Sequence, residues 1–386
     1  MRNKLINKNS EPFFFCLAIT ILGILIFSSY IPIWDYPDII PRNKRIFQEL
    51  NADKQKFLVY LSSYLNLIMP DLTIVKNCSF DNYSECLHLN NELIWNRLHI
   101  NFLLLLISII TISTILFFIK IFNKNFMIEN DLYLKSYFLA ISFPGTIYLI
   151  TNPIYESLFI YLSIFFILLY NSYLKFLILF LCYLIDNSDT YVLLYFLLVE
   201  RTFYLISKYN INYYLYITII FLLITALINT DLLHFIKLFF ETDKINQILD
   251  NINNKGEYLN STLILRVFIT FKSFLIMTPN YFYAPIFTIF ILCTITFLLI
   301  NNLKFFNLGS FKEISFNQHL LFSSLITQIS LVFMLPTHTH GKYFVFMIPI
   351  IFIFLMNKYS FSSLIKFNLI GLFMVVIDLI LFFGIK

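Results

Sequence analysis

The sequence predicts an all-α polytopic membrane protein with about 11 transmembrane helices. Of its 386 residues, 59% are hydrophobic and 13% charged, far from the balance of a water-soluble domain. Runs such as FFFCLAITILGILIF, NFLLLLISIITISTILFFI and IFTIFILCTITFLLI approach the length that crosses about 30 Å of hydrocarbon as a helix. Lys and Arg collect in the polar segments between such runs, where they report orientation. No basic stripe with interleaved aromatics points to nucleic acid.

The first run, residues 11–30, follows Arg2, Lys4 and Lys8 like a signal peptide, but no small-x-small site follows it, so it reads as the first span of an N-terminal segment 1–30. Residues 31–98 read as a large outer-face loop. Within it, QELNADKQKFLVYLSSYLNLIMP has an apolar face at helical spacing, as a helix lying along an interface would. Cys78 and Cys86 share this loop and can close a disulfide in an oxidising compartment, whereas Cys16, Cys182 and Cys293 read as small packing residues in apolar runs. A multispanning domain covers 99–386, with spans near 99–119, 136–151, 156–172, 174–198, 211–229, 264–278, 283–301, 318–335, 342–357 and 364–385. With a cytoplasmic N-terminus, Lys120, Lys124, Lys135, Lys237, Lys244, Lys255, Lys304, Lys312 and Lys358 all fall inside. Arg42, Lys44, Arg45, Lys54 and Lys56 fall outside, in a loop too long for the rule to govern.

The large first loop, the turns at TNPIYE and TPNYF and the run PTHTHGKYFVFMIP then reach one outer face, and four polar clusters need an explanation. In IPIWDYPDIIPR, Asp35 and Asp38 stand three apart between prolines, placed to deprotonate a sugar hydroxyl or to hold a divalent cation; a plain interfacial turn with Trp34 and Tyr36 accounts for them as well. In FPGTIYLITNPIYESLF, Pro144 and Gly145 interrupt a span, and Tyr155 and Glu156 open the next, where a carboxylate either caps the helix or binds substrate. In LCYLIDNSDTYVLL, Asp186 and Asp189 break an apolar run, and ionisable residues at membrane depth face a polar cavity or a paired group. In PTHTHGKYFVFMIP, His338, His340 and Lys342 alternate, so an extended turn points all three one way, with Tyr343 beside them. That cluster suits a phosphate or pyrophosphate leaving group, or simply snorkels to a wet interface. His338 and His340 alone are too few ligands for a metal.

The FPGTIYLITNPIYESLF block and the terminal HTHGKYFVFMIP resemble integral-membrane glycosyltransferases of the GT-C class, including dolichyl-phosphate-mannose-using mannosyltransferases. Lys342 stands where many of these have arginine. The layout also resembles bacterial O-antigen and exopolysaccharide repeat-unit polymerases. The resemblance implies a polymerase in the bacterial inner membrane, its active site facing the periplasm. A single-sugar transferase using a lipid-phosphate sugar, or a flippase or transporter, are the alternatives. It implies Asp35, Asp186 and Asp189 as catalytic acids, and Asp38, Tyr155, Glu156, His338, His340, Lys342 and Tyr343 on the substrate. The implied partners are a polyprenyl-phosphate- or pyrophosphate-linked glycan, membrane lipids and a polysaccharide chain-length regulator.

Overall fold

The computed structural model describes residues 2–30, 91–122, 131–151, 155–185, 187–208, 316–334 and 345–383, together with the isolated positions Ile286, Ile289, Phe290 and Cys293. The described chain is mostly α-helical, in ten helices. They are α1 (Arg2–Tyr30), α2 (Asn91–Phe122), α3 (Asp131–Ile141), α4 (Pro144–Ile150), α5 (Tyr155–Leu168), α6 (Leu174–Ile185), α7 (Asn187–Lys208), α8 (Phe316–Met334), α9 (Met347–Leu355) and α10 (Phe361–Phe383).

The described residues do not form the expected architecture of about 11 transmembrane helices. Among the described residues only two helical stretches, Glu11–Ser29 and Phe361–Asp378, are long and apolar enough to cross a membrane. At 1.5 Å per residue they reach roughly 27–29 Å. Local chemistry cuts the other apolar runs short. The run 136–151 divides at Phe143, which is extended (φ −73°, ψ 128°) ahead of Pro144. Proline has no N–H to continue the ladder, and it disfavours a helical residue before it. The run 342–357 yields only the nine residues of α9, and 156–172 the fourteen of α5. Helix α7 carries Asp189, Glu200, Arg201 and Lys208, and α8 is studded with Gln, His, Ser and Thr. The expected spans 211–229 and 264–278 lie outside the described residues, as does nearly all of 283–301. With the eleven crossings go the GT-C-like layout, the polymerase, transferase and flippase functions that need it, and the multi-pass inner-membrane placement.

Helices α4 and α9 are buried on every side, and so is α5 from Phe159 onward. An apolar helix without a polar face belongs in such a position. Helix α3 packs against both α5 and α9, α5 pairs with α6, and α7 bridges α6 and α8. Aromatic edges knit these layers, with Tyr137 of α3 set T-shaped against Phe165 of α5 at 6.2 Å and Phe143 against Phe352 of α9 at 6.2 Å. On the other side α1 lies against α2, α4 and α10. Gly23 lets α1 approach α4 closely, since a Cβ there would stand 2.7 Å from Ile147 Cδ1. Cys16 and Cys182 are buried, as expected of packing residues, whereas Cys293 is exposed.

Many large apolar side chains among the described residues are exposed. Phe14, Phe15, Leu22 and Leu25 of α1, Leu106, Ile110 and Phe117 of α2, Phe176 and Phe180 of α6, and Phe373 and Leu381 of α10 all point outward. Polar residues occupy the interior, including Asn101, Ser142, Thr146, Glu200, Ser323, Gln328, Asn368 and Asp378.

Candidate functional site

The sequence-predicted site falls largely beyond what the structure describes. Asp35, Asp38, Asp186, His338, His340, Lys342 and Tyr343 lie outside the described residues, as do Cys78 and Cys86. Tyr155 and Glu156 open α5, and Asp189 lies in the first turn of α7, where a carboxylate meets the positive end of the helix dipole; their side chains are outside the description. Among the described residues no group of three or more His, Cys, Asp or Glu could hold a metal ion.

Two polar constellations lie among the described residues instead. The first surrounds the break between α3 and α4. Phe143 N–H donates to the Ala140 carbonyl (3.3 Å), a tightened turn that leaves the Leu139 carbonyl without its usual helical donor. Asn368 Nδ2, from α10, fills that role at 2.9 Å and also donates to Ser142 Oγ at 2.8 Å. Ser142 Oγ in turn donates to the Leu139 carbonyl (3.1 Å), and Thr20 Oγ1, from α1, donates to the Ile141 carbonyl (3.3 Å). The irregular backbone is therefore gripped by the two membrane-length helices. Nearby, Asn101 Nδ2 ties α2 to Ser28 Oγ (3.0 Å) and to the Thr151 carbonyl (3.3 Å). Such satisfaction by protein groups is what irregular backbone needs wherever water is excluded.

The second constellation lies at the turn between α5 and α6. Glu200 of α7 is only 4% exposed, and its Oε2 accepts a 2.7 Å hydrogen bond from the Tyr170 hydroxyl. Helix α6 packs against both α5 and α7, and the Glu200–Tyr170 bond brings the later turns of α7 to the turn that follows α5. Tyr170 is fixed by Phe166, edge-on at 5.8 Å, and by Phe196 at 5.9 Å, which itself packs on Phe346 at 4.9 Å. Burial first, and then the Glu200 charge, push the Tyr170 phenol far above its ordinary range, so it remains the donor. Lys175 Nζ sits 4.5 Å from the centre of the Tyr170 ring. Burial lowers the proton affinity of Lys175, an effect opposed by Glu200 and reinforced by Arg201.

A seam of polar groups continues beside it. Helix α8 buries His319, Ser323, Thr327 and Ser330 along one face, with His319 set T-shaped 5.2 Å from Phe203 of α7. On α10, the buried Asp378 accepts a 3.0 Å bond from the backbone N–H of Ile286. Buried carboxylates of this kind are costly unless bonded.

No protein family model, no curated protein and no solved structure matches this chain. The resemblance to GT-C glycosyltransferases and repeat-unit polymerases therefore finds no counterpart in these comparisons, and the polytopic layout it presupposes is absent among the described residues.

Sequence reading passed over Glu200, Tyr170, Lys175 and Asn368. A signal existed for Glu200, an acid within the apolar stretch YVLLYFLLVERTFYL. Nothing local identified Tyr170 as its partner thirty residues away.

Proposed function

We propose that this protein is a lipid-facing helical bundle, anchored in a membrane by α1 and α10, with acyl chains against the outward faces of α2, α6 and α7. The observation that carries the reading is the inverted distribution of polarity. Phe117, Leu106 and Ile110 of α2 are more than half exposed, while Asn101 and Ser108 of the same helix are buried. Exposed apolar area on this scale is unfavourable against water and neutral against hydrocarbon. Of the partners the sequence suggests, membrane lipid is the one this surface supports.

The test is alkaline carbonate extraction of membranes carrying the full chain, with Ile110→Arg alongside. Wild type is expected in the pellet. Ile110→Arg, which would be nearly neutral on a wetted surface, is expected to cost about 2.5–3.5 kcal/mol against lipid and to reduce the membrane-inserted yield sharply. Release of wild type into the supernatant, or a silent Ile110→Arg, overturns the reading.

A further inference from the structure

The α5–α6 turn carries a rim of a particular kind. Tyr173 is 91% exposed there and Phe176 55%. Lys175 Nζ stands over Tyr170 and lies 5.6 Å from the Phe176 ring centre. Arg201, one residue beyond Glu200, lies 5.6 Å from the exposed ring of Tyr204. Both cations thus have aromatic faces for neighbours, and among the described residues neither has a carboxylate within ion-pair distance. Among the described residues Glu200 is the one acid beside them, and it is buried and bonded to Tyr170. Two cations against one carboxylate leave a net positive rim, and the two cations repel each other.

Away from this rim run two outward apolar stripes, Phe176 and Phe180 on α6 with Leu194 and Leu198 on α7, and these two helices pack side by side. A negative headgroup above two hydrocarbon tails matches that arrangement of charge and grease. We propose that Lys175 and Arg201, seated on the aromatic rim of the α5–α6 turn, form a headgroup site for an anionic phospholipid whose tails lie along α6 and α7. The phosphodiester accepts from both cations and relieves their repulsion, and the aromatic faces hold the guanidinium and the ammonium in place. This inference rests on the lipid-facing reading above.

The experiment is native mass spectrometry of the full chain in detergent, titrated separately with phosphatidylglycerol, phosphatidylcholine and inorganic phosphate. Phosphatidylglycerol is expected to be retained in preference to phosphatidylcholine. Lys175→Ala or Arg201→Ala should each weaken that retention about fivefold, and the double variant roughly 30-fold. The charge-conserving pair Lys175→Arg with Arg201→Lys, which guards against a mere folding defect, should keep the preference. Equal retention of both lipids by wild type, or a preference unchanged in the double variant, overturns the site. Displacement of phosphatidylglycerol by millimolar phosphate overturns its lipid form in favour of a free-anion site. If wild type pellets in carbonate yet shows no lipid preference, only this inference fails; if it is released, the parent reading has failed first.

Discussion

Asn368→Leu tests whether the interrupted helix at α3–α4 is held by its neighbours or by its own proline. The leucine keeps the volume and removes two hydrogen bonds, at 2.9 Å to the Leu139 carbonyl and 2.8 Å to Ser142 Oγ. Interhelical bonds in an apolar interior contribute from about 0.6 to about 1.5 kcal/mol each, so about 1–3 kcal/mol is lost. Two features reduce this. The Leu139 carbonyl keeps its bond from Ser142 Oγ, and Asn368 Oδ1, which is buried without a hydrogen-bond partner, is removed at a gain. The expected net loss is about 1–2 kcal/mol. Asn368→Asp is nearly isosteric but sets an acceptor oxygen against the Leu139 carbonyl, and should cost about 3 kcal/mol or more. Thr20→Val removes a hydroxyl shared between the Cys16 carbonyl of its own helix (2.9 Å) and the Ile141 carbonyl (3.3 Å), and should cost about 0.5–1 kcal/mol. Thermal unfolding in detergent, followed by helical circular dichroism, ranks the three. A neutral Asn368→Leu, or an Asp variant no worse than the Leu variant, would refute the claim that α10 clasps the break.

Three further outcomes are expected. Tyr170→Phe strips the buried Glu200 carboxylate of its donor and should lower stability by about 1.5–3 kcal/mol, whereas Glu200→Gln keeps an acceptor for the hydroxyl and should cost less; differential scanning calorimetry compares them. Gly23→Ala places a methyl 2.7 Å from Ile147 Cδ1, and the crowding, about 1–3 kcal/mol, should outweigh a helix-propensity gain of about 1 kcal/mol. Adding Ile147→Val, which deletes that Cδ1, should recover most of the loss, and strict additivity in the double-mutant cycle would contradict the close approach of α1 and α4. Burial pushes the Tyr133 phenol from 10.0 up to about 12. The folded state therefore holds this proton where the unfolded chain releases it, so the stabilisation is complete below pH 10 and is lost as pH rises toward 12. Phenolate absorbance should appear together with the loss of helical signal, and ionisation of all tyrosines before unfolding would contradict this.

Much of the local structure was legible in the chain. The apolar runs at 11–30 and 364–385 correspond to α1 and α10, and Pro144 marks the break its chemistry demands. Hydropathy failed where it sums over interruptions. A window across 136–151 sees continuous grease, but a single missing N–H divides it between the end of the eleven-residue α3 and the seven-residue α4. The Ser and Thr residues of α8 look like dilution of an apolar run, yet Ser324 and Thr327 bond back to the Leu321 and Ser323 carbonyls and so bury their hydroxyls within the helix itself. Partner choice was the least legible part. The Tyr170–Glu200 and Asn368–Leu139 pairs depend on which turns of different helices meet, and no spacing in the sequence encodes that. Of the predicted site, Asp35 and the His338–Lys342 turn lie outside the described residues, so the anionic-ligand chemistry argued above draws on different side chains.

The bond from Asn368 to Leu139 joins residues 229 apart in the chain. A ribosome adding 5–20 residues each second needs roughly 10–45 s to travel that distance. For that interval the Leu139 carbonyl at the α3–α4 break has the local Ser142 hydroxyl for a donor but not yet Asn368. The clasp thus works as a timer: the break is completed only when a helix made 229 residues later arrives. Any factor that escorts the emerging chain must shield this short stretch of backbone until then.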